Sequence, residues 1–220
     1  MALNDEVQQA RQHQPLFASV RDVVPTFRSL TVHFDVDHAQ ADALGEQLLA
    51  LAQRAQAKWL QGRHWRLPAC FASELAPDLP HVAQARGMSK PKVIATLLAA
   101  VFRVYMIGFL PGFPYMGGLP PELATPRLAS PRQRVPAHSI AIAGEMCAVY
   151  PWDSPGGWNL LGRTPVRLFD LQHPHQPAML AAGDTVQWYA IERDEYDALF
   201  SQSQNGSLAR ERFCQTGLTP

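Results

Sequence analysis

Between Gly108 and Pro165 the chain carries ten of its 19 prolines and eight of its 14 glycines. Proline fixes φ and removes an amide donor, while glycine opens the φ > 0 half of conformational space. Such a density argues against long helices and calls for shaped turns. Between the turns lie short apolar runs, Ser139–Ala143, Met146–Tyr150 and Trp158–Leu161. They predict strands joined by loops of specified geometry. The same stretch holds Arg132, Arg134, His138, Glu145, Tyr150, Trp158 and Arg163, more chemistry than a structural loop needs. It reads as a binding face.

Composition narrows what such a face can bind. The 19 basic and 19 acidic residues give a formal net charge of zero. That removes the broad electrostatic case for nucleic acid or an anionic membrane. No apolar run approaches the roughly 18 residues of a membrane span. The N-terminal MALNDEVQQARQ lacks the apolar core of a signal peptide. Cys70, Cys147 and Cys214 are widely spaced and odd in number, which suggests neither a disulfide framework nor a zinc site. A cytoplasmic protein with reduced thiols is the expectation.

Taken in order, the pattern predicts a short helix from Asn4 to Gln12, strands at Val20–Val24 and Ser29–Phe34, a clear helix over Asp37–Ala57 and a strand at His64–Phe71. Strand, strand, helix and strand fit an α+β layer. Asp78 and Ser89 are placed to cap two linking helices, Asp78–Arg86 and Lys90–Ala99. Further strands are expected at Phe102–Phe109, Arg163–Asp170 and Thr185–Ile191, then a short helix at Asp194–Phe200. The domain boundaries that follow are 1–76 for an α+β domain, 77–100 for the linking helices, 101–200 for a mainly-β domain and 201–220 for a polar, mobile tail.

Within the binding face, Arg132, Arg134 and Arg163 can each grip a carboxylate or phosphoryl oxygen through a guanidinium fork, or brace loops by bonding carbonyls or Asp153. Ser154-Pro155-Gly156-Gly157-Trp158 allows close backbone approach to a ligand and can form an anion nest, or else a tight packed hairpin. His138 can serve as a base near neutrality or sit on a loop rim. Glu145 can orient a nucleophile or be solvated. Tyr115 and Tyr150 can line a pocket or fill the core, and Cys147 reads as a small buried hydrophobe. The chain has no Gly-x-Ser-x-Gly, no phosphate-cradling GxxxxGK[ST] and no metal-type histidine spacing.

Four blocks in this order, GFLPGFPYMGGLP (Gly108–Pro120), PRLASPRQRVPA (Pro126–Ala137), SIAIAG (Ser139–Gly144) and YPWDSPGGWNLLGRT (Tyr150–Thr164), carry a resemblance. The chain resembles the bacterial family that includes the 5-oxoprolinase B subunit, KipI-type kinase inhibitors and proteins labelled allophanate hydrolase subunit 1. Weaker likeness extends over roughly Val20–Phe200. The resemblance implies a ferredoxin-like N-terminal domain followed by a cyclophilin-like β-barrel. It also implies a non-autonomous subunit of an ATP-dependent complex that opens 5-oxo-L-proline to L-glutamate. ATP is then bound by the complex, beside a homologous carboxyltransferase-type subunit (C-like) and a third, hydrolytic subunit (A-like). Two other readings stay open: an inhibitor docking on a sensor histidine kinase, and half of a carboxyltransferase site acting on urea-type amides with carboxybiotin elsewhere.

The chain departs from the family pattern at four places. Relatives commonly carry His where Leu97 stands, Gly where His138 stands, and Tyr-Gly-Gly in place of Phe71-Ala72-Ser73. They also open with a strand before the first helix, whereas this sequence begins in the helix. The expectation is either a start assigned too late or a trimmed first domain, whose sheet would then show an open edge.

Overall fold

The computed structural model describes residues 2–26, 28–36, 40–55 and 62–215. These form two compact units, residues 1–60 and 61–220. In the smaller, helix α1 (Ala2–His13) leads through a 3-10 turn (Pro15–Ser19) to an antiparallel hairpin of β1 (Val20–Pro25) and β2 (Leu30–Phe34), followed by helix α2 (Ala41–Arg54). Val7, Ala10, Phe17, Val20, Val23, Leu44 and Leu51 make its buried core. Leu44 and Leu51 lie seven residues apart on the α2 stripe, as a two-turn helical repeat requires. The ends predicted for this helix, Asp37–Ala39 and Gln56–Ala57, lie outside the described residues.

The larger unit begins with β3 (His64–Ala69), then helices α3 (Leu79–Ala85) and α4 (Lys90–Ala99). Seven strands follow: β4 (Phe102–Ile107), β5 (Pro114–Gly117), β6 (Arg132–Val135), β7 (Ser139–Ala143), β8 (Met146–Val149), β9 (Ser154–Gly156) and β10 (Asn159–Arg163). The last elements are β11 (Thr185–Ala190), α5 (Arg193–Gln204), a 3-10 turn (Arg210–Phe213) and β12 (Cys214–Gln215). Eight strands form one mixed sheet in the order β10-β7-β8-β5-β4-β11-β3-β12, with β3 parallel to β11. Strands β6 and β9 make a separate antiparallel ribbon.

The sheet turns back on itself. Cys70, just past β3, exchanges two backbone hydrogen bonds with Arg163 on β10, at 2.8 and 3.0 Å. Gly162 permits this approach, because a Cβ there would stand 2.9 Å from the Cys70 carbonyl oxygen. Trp65, Leu67, Phe102, Val104, Met116 and Trp188 fill the enclosed core, each contributing about 1.5–3 kcal/mol by burial.

Three expectations change here. β3 belongs to the larger unit, because its ladder partner is β11 rather than β1 or β2. The first domain as drawn to residue 76 therefore loses everything from residue 61 onward. The segment Arg163–Asp170 is not a strand beyond Arg163; Pro165 has no amide to offer a ladder. The tail is structured to residue 215, since α5 runs to Gln204 and β12 pairs with β3. Leu208 and Phe213 pack on the core, which supplies the apolar anchor that the polar composition concealed.

Candidate functional site

Strands β7 and β8 are buried on both faces, and their period of two assigns the faces. Ile140, Ile142, Cys147 and Val149 point into the enclosed core. Ala141, Ala143, Ala148 and Tyr150 point the other way, into a second cluster with Phe113, Val135, Trp158 and Leu160. The three alanines leave room on that outer face, and aromatic rings occupy it. Phe113 is the hub, its ring centroid 4.8 Å from Tyr115, 5.1 Å from Tyr150, 5.4 Å from Phe109 and 6.3 Å from Trp158. The edge-to-face pairs among these, with Phe109, Tyr150 and Trp158, contribute about 0.5–1.5 kcal/mol each beyond burial. The β6–β9 ribbon flanks the cluster, and between them lies a cleft of about 640 Å³. That volume is within the roughly 300–1,000 Å³ of small-molecule sites.

Aromatic side chains, alanine, proline and glycine dominate the cleft wall, and Arg127 is the cation on it. Its backbone is held on three sides. Gly144 donates to the Thr125 carbonyl at 2.8 Å, Asn159 Nδ2 to the Pro126 carbonyl at 2.9 Å and the Leu128 amide to the Gly157 carbonyl at 2.7 Å. Among the described residues the Arg127 guanidinium has no ion pair or hydrogen bond. Burial raises the Tyr115 phenol above its ordinary range, and Arg127 opposes that rise. Burial likewise raises Tyr150, opposed by the Trp158 backbone and by Arg127. Both hydroxyls therefore stay protonated at neutral pH, available to donate or accept.

Phe109 at the cleft mouth has φ = +70° and is 63% exposed. A non-glycine residue in that region is strained, and such strain clusters at functional positions.

Tyr150, Gly156 and Trp158 line the cleft, as does Tyr115. The three arginines singled out from the sequence do not. Arg132 pairs with buried Asp78 at 2.6 Å, and that carboxylate also accepts from the Leu160 amide at 2.7 Å. Asp78 thus ties α3 to β10 rather than capping its helix through the side chain. Arg134 bonds Asp153 at 2.8 Å; the Ala137 amide, then Arg134, hold that carboxyl below its usual range. Arg163 donates to the Ala137 carbonyl from Nε at 3.0 Å and Nη2 at 2.6 Å. These contacts brace loops.

His138 is 6% exposed, with φ = +67°, a backbone region that glycine adopts without strain. Its Nδ1–H donates to the Val166 carbonyl at 3.0 Å, and burial lowers its pKa to about 4. Glu145 lies exposed in the turn between β7 and β8. Ser154 is buried, and Gly157 has ordinary space around a would-be Cβ, 3.6 Å from Pro131. Cys147 is enclosed in β8, its thiol pushed up to about 12 by burial. Among the described residues no cluster of three His, Cys, Asp or Glu could hold a metal, and no helix is long and apolar enough to cross a membrane.

Arg127 escaped the sequence reading although it opens the PRLASPR block. Its neighbours Arg132 and Arg134 carry the same local signal. What separates them is the presence of Asp78 and Asp153, brought from 54 and 19 residues away.

Comparison with known proteins agrees with this architecture. The sequence profile described as "Carboxyltransferase domain, subdomain C and D" matches residues 1–180. The 5-oxoprolinase B subunit of Bacillus subtilis is 36% identical over 207 residues, covering 87% of this chain and 84% of the relative. That of Haemophilus influenzae is 43% identical over 145 residues, 63% of this chain and 68% of the relative. The crystal structure of TTHA0988 superposes with a TM-score of 0.69 at 34% identity over 87% of this chain, which spans 36% of that longer chain. Urea carboxylase of Kluyveromyces lactis shares the fold, with a TM-score of 0.80 at 21% identity over 94% of this chain and 21% of its own. On the matched profile and these relatives, the chain belongs to the carboxyltransferase-domain (subdomain C and D) family that contains the bacterial 5-oxoprolinase B subunit.

Proposed function

We propose that this chain is a subunit of a 5-oxoprolinase complex, non-autonomous and ATP-dependent, which opens 5-oxo-L-proline to L-glutamate. One observation carries the reading: an aromatic cleft whose wall bears a single guanidinium, Arg127, unengaged among the described residues. A small ring with apolar methylenes and one carboxylate matches that wall. Arg127 would grip the carboxylate through its fork. Phe113, Tyr115 and Trp158 would cover the methylenes, and the protonated phenols of Tyr115 and Tyr150 would meet the polar lactam edge. Burying both groups in a largely apolar cleft strengthens the ionic contact. Phosphoryl transfer from ATP, which activates the amide, is the chemistry that the assembled complex adds. A homologous carboxyltransferase-type subunit (C-like) and a hydrolytic subunit (A-like) are the partners in this reading, in the cytoplasm. We read the larger unit, closed at Cys70–Arg163, as the cyclophilin-like barrel and the smaller as the ferredoxin-like part.

The test is ATP-dependent glutamate release from 5-oxo-L-proline by this chain co-expressed with its partner subunits. Arg127→Ala is expected to raise KM for 5-oxoproline by about 10- to 100-fold, the range set by losing a charge-assisted hydrogen bond. Arg134→Ala, on an exposed ion pair, is expected to leave it unchanged. An unaltered KM in Arg127→Ala removes the cleft from substrate binding. Undiminished glutamate release without this chain removes its assignment to the complex, and favours the kinase-inhibitor reading.

A further inference from the structure

A second basic recess lies on the outer face of the larger unit, at the edge of its sheet. Arg66 and Arg212 line it with Tyr189, Phe213 and Gln215, around about 260 Å³. Strand register explains the convergence. Arg66 and His64 alternate with inward Trp65 and Leu67 on β3, and β12 sets Gln215 opposite His64. Tyr189 follows on the neighbouring β11, two residues past Gln187, the ladder partner of Arg66. The 3-10 turn then delivers Arg212 beside buried Phe213.

Each guanidinium lies over a ring. Arg66 Cζ is 5.6 Å from the Tyr189 centroid, and Arg212 Cζ is 5.3 Å from that of Phe213. A guanidinium resting on an aromatic face is held in place, yet its N–H edge stays available, since the ring takes none of its donors. Among the described residues neither guanidinium has an ion pair or hydrogen bond. Burial raises the Tyr189 phenol, and Glu195 adds to that; the nearby charges of Arg212 and Arg66 both oppose it. Two guanidiniums against one carboxylate leave the recess positive. The nearby Arg63 is different, because its charge is spent on Asp184 at 3.2 Å.

We propose that this recess is a binding site for a small phosphate-bearing anion, gripped by the paired forks of Arg66 and Arg212 with Tyr189 and Gln215 completing the hydrogen bonding. Two planar forks suit the several oxygens of a phosphoryl or diphosphoryl group better than a single carboxylate, which one fork already saturates. The site is separate from the aromatic cleft, and its lining shares no residue with it.

Calorimetric titration of the full chain with inorganic pyrophosphate tests this, with ADP as a second ligand and sulfate at matched ionic strength as the comparator. Saturable pyrophosphate binding is expected, weakened about 10-fold or more by Arg66→Ala or Arg212→Ala and lost in the double variant. Equal affinity for ADP assigns recognition to the phosphates alone; tighter ADP binding assigns a nucleotide. Both side chains are exposed, so unchanged melting temperatures are expected to accompany the loss. The proposal is overturned by an absence of saturable binding, by undiminished binding in the double variant, or by sulfate binding as tightly as pyrophosphate.

Discussion

Gly156 and Gly157 are adjacent, yet the fold treats them oppositely. A Cβ on Gly156 would stand 2.7 Å from Cζ and 2.8 Å from Cε1 of Tyr150, and closer still to its hydroxyl. Tyr150 is 2% exposed, with its ring edge-on to Phe113, so it has little freedom to retreat. A Cβ on Gly157 would meet Pro131 at 3.6 Å, an ordinary contact. Gly156→Ala is therefore an overpacking change expected to cost about 1–3 kcal/mol. For a unit of this size that lowers Tm by about 2–12 °C. Gly157→Ala is expected to stay within about 0.5 kcal/mol of the parent. Scanning calorimetry gives the Tm of each variant, and urea titration followed by tryptophan fluorescence gives the free energies. Tyr150→Phe added to Gly156→Ala should recover part of the loss by removing the most crowded atom. Equal costs for the two alanines, or a Gly156→Ala protein as stable as the parent, would refute the steric argument and with it the rigid placement of Tyr150 in the cleft.

Two further predictions concern buried polar groups. His138 has a folded pKa of about 4 against about 6.5 in the unfolded chain, so acid favours the unfolded state. Its neutral form is fully compatible with folding above pH 6.5, and stability falls between pH 6.5 and 4, by up to about 3 kcal/mol. Urea midpoints at pH 7 and pH 5 should show this loss in the parent and a smaller one in His138→Gly; identical slopes would contradict it. Asp184 is 2% exposed and accepts from the amides of Arg63 and Ala181, Trp65 Nε1 and Arg63 Nη2. Asp184→Ala strands those donors and should cost about 3 kcal/mol or more by urea denaturation, whereas a loss below about 1 kcal/mol would show that they find other partners.

Local chemistry made much of this structure legible. Ser139–Ala143 is a strand as its apolar run requires, and Ser89 caps its helix by accepting from the Lys92 amide at 3.3 Å. The turn-rich stretch from Gly108 to Pro165 does supply the cleft. What local patterns could not reveal were pairings made over long sequence separations. Nothing near His64 announces that its strand runs beside residues 121 positions later, so β3 read as part of the first domain. Arginines that reach carbonyls and carboxylates look, in sequence, like arginines that await a ligand. The outward alanines of β7 and β8 were visible as apolar residues, but their function as space for aromatic rings emerges only when the opposite face is known to be full.

The parallel pairing of β3 with β11 also sets a timetable for synthesis. His64 and Thr185 bond across 121 residues. At about 5–20 residues per second on the ribosome, β3 waits roughly 6 to 24 s for its partner strand to be made. During that interval Trp65 and Leu67, later among the most enclosed side chains, have no sheet to enter. Slow translation lengthens that wait, and with it the exposure of both side chains.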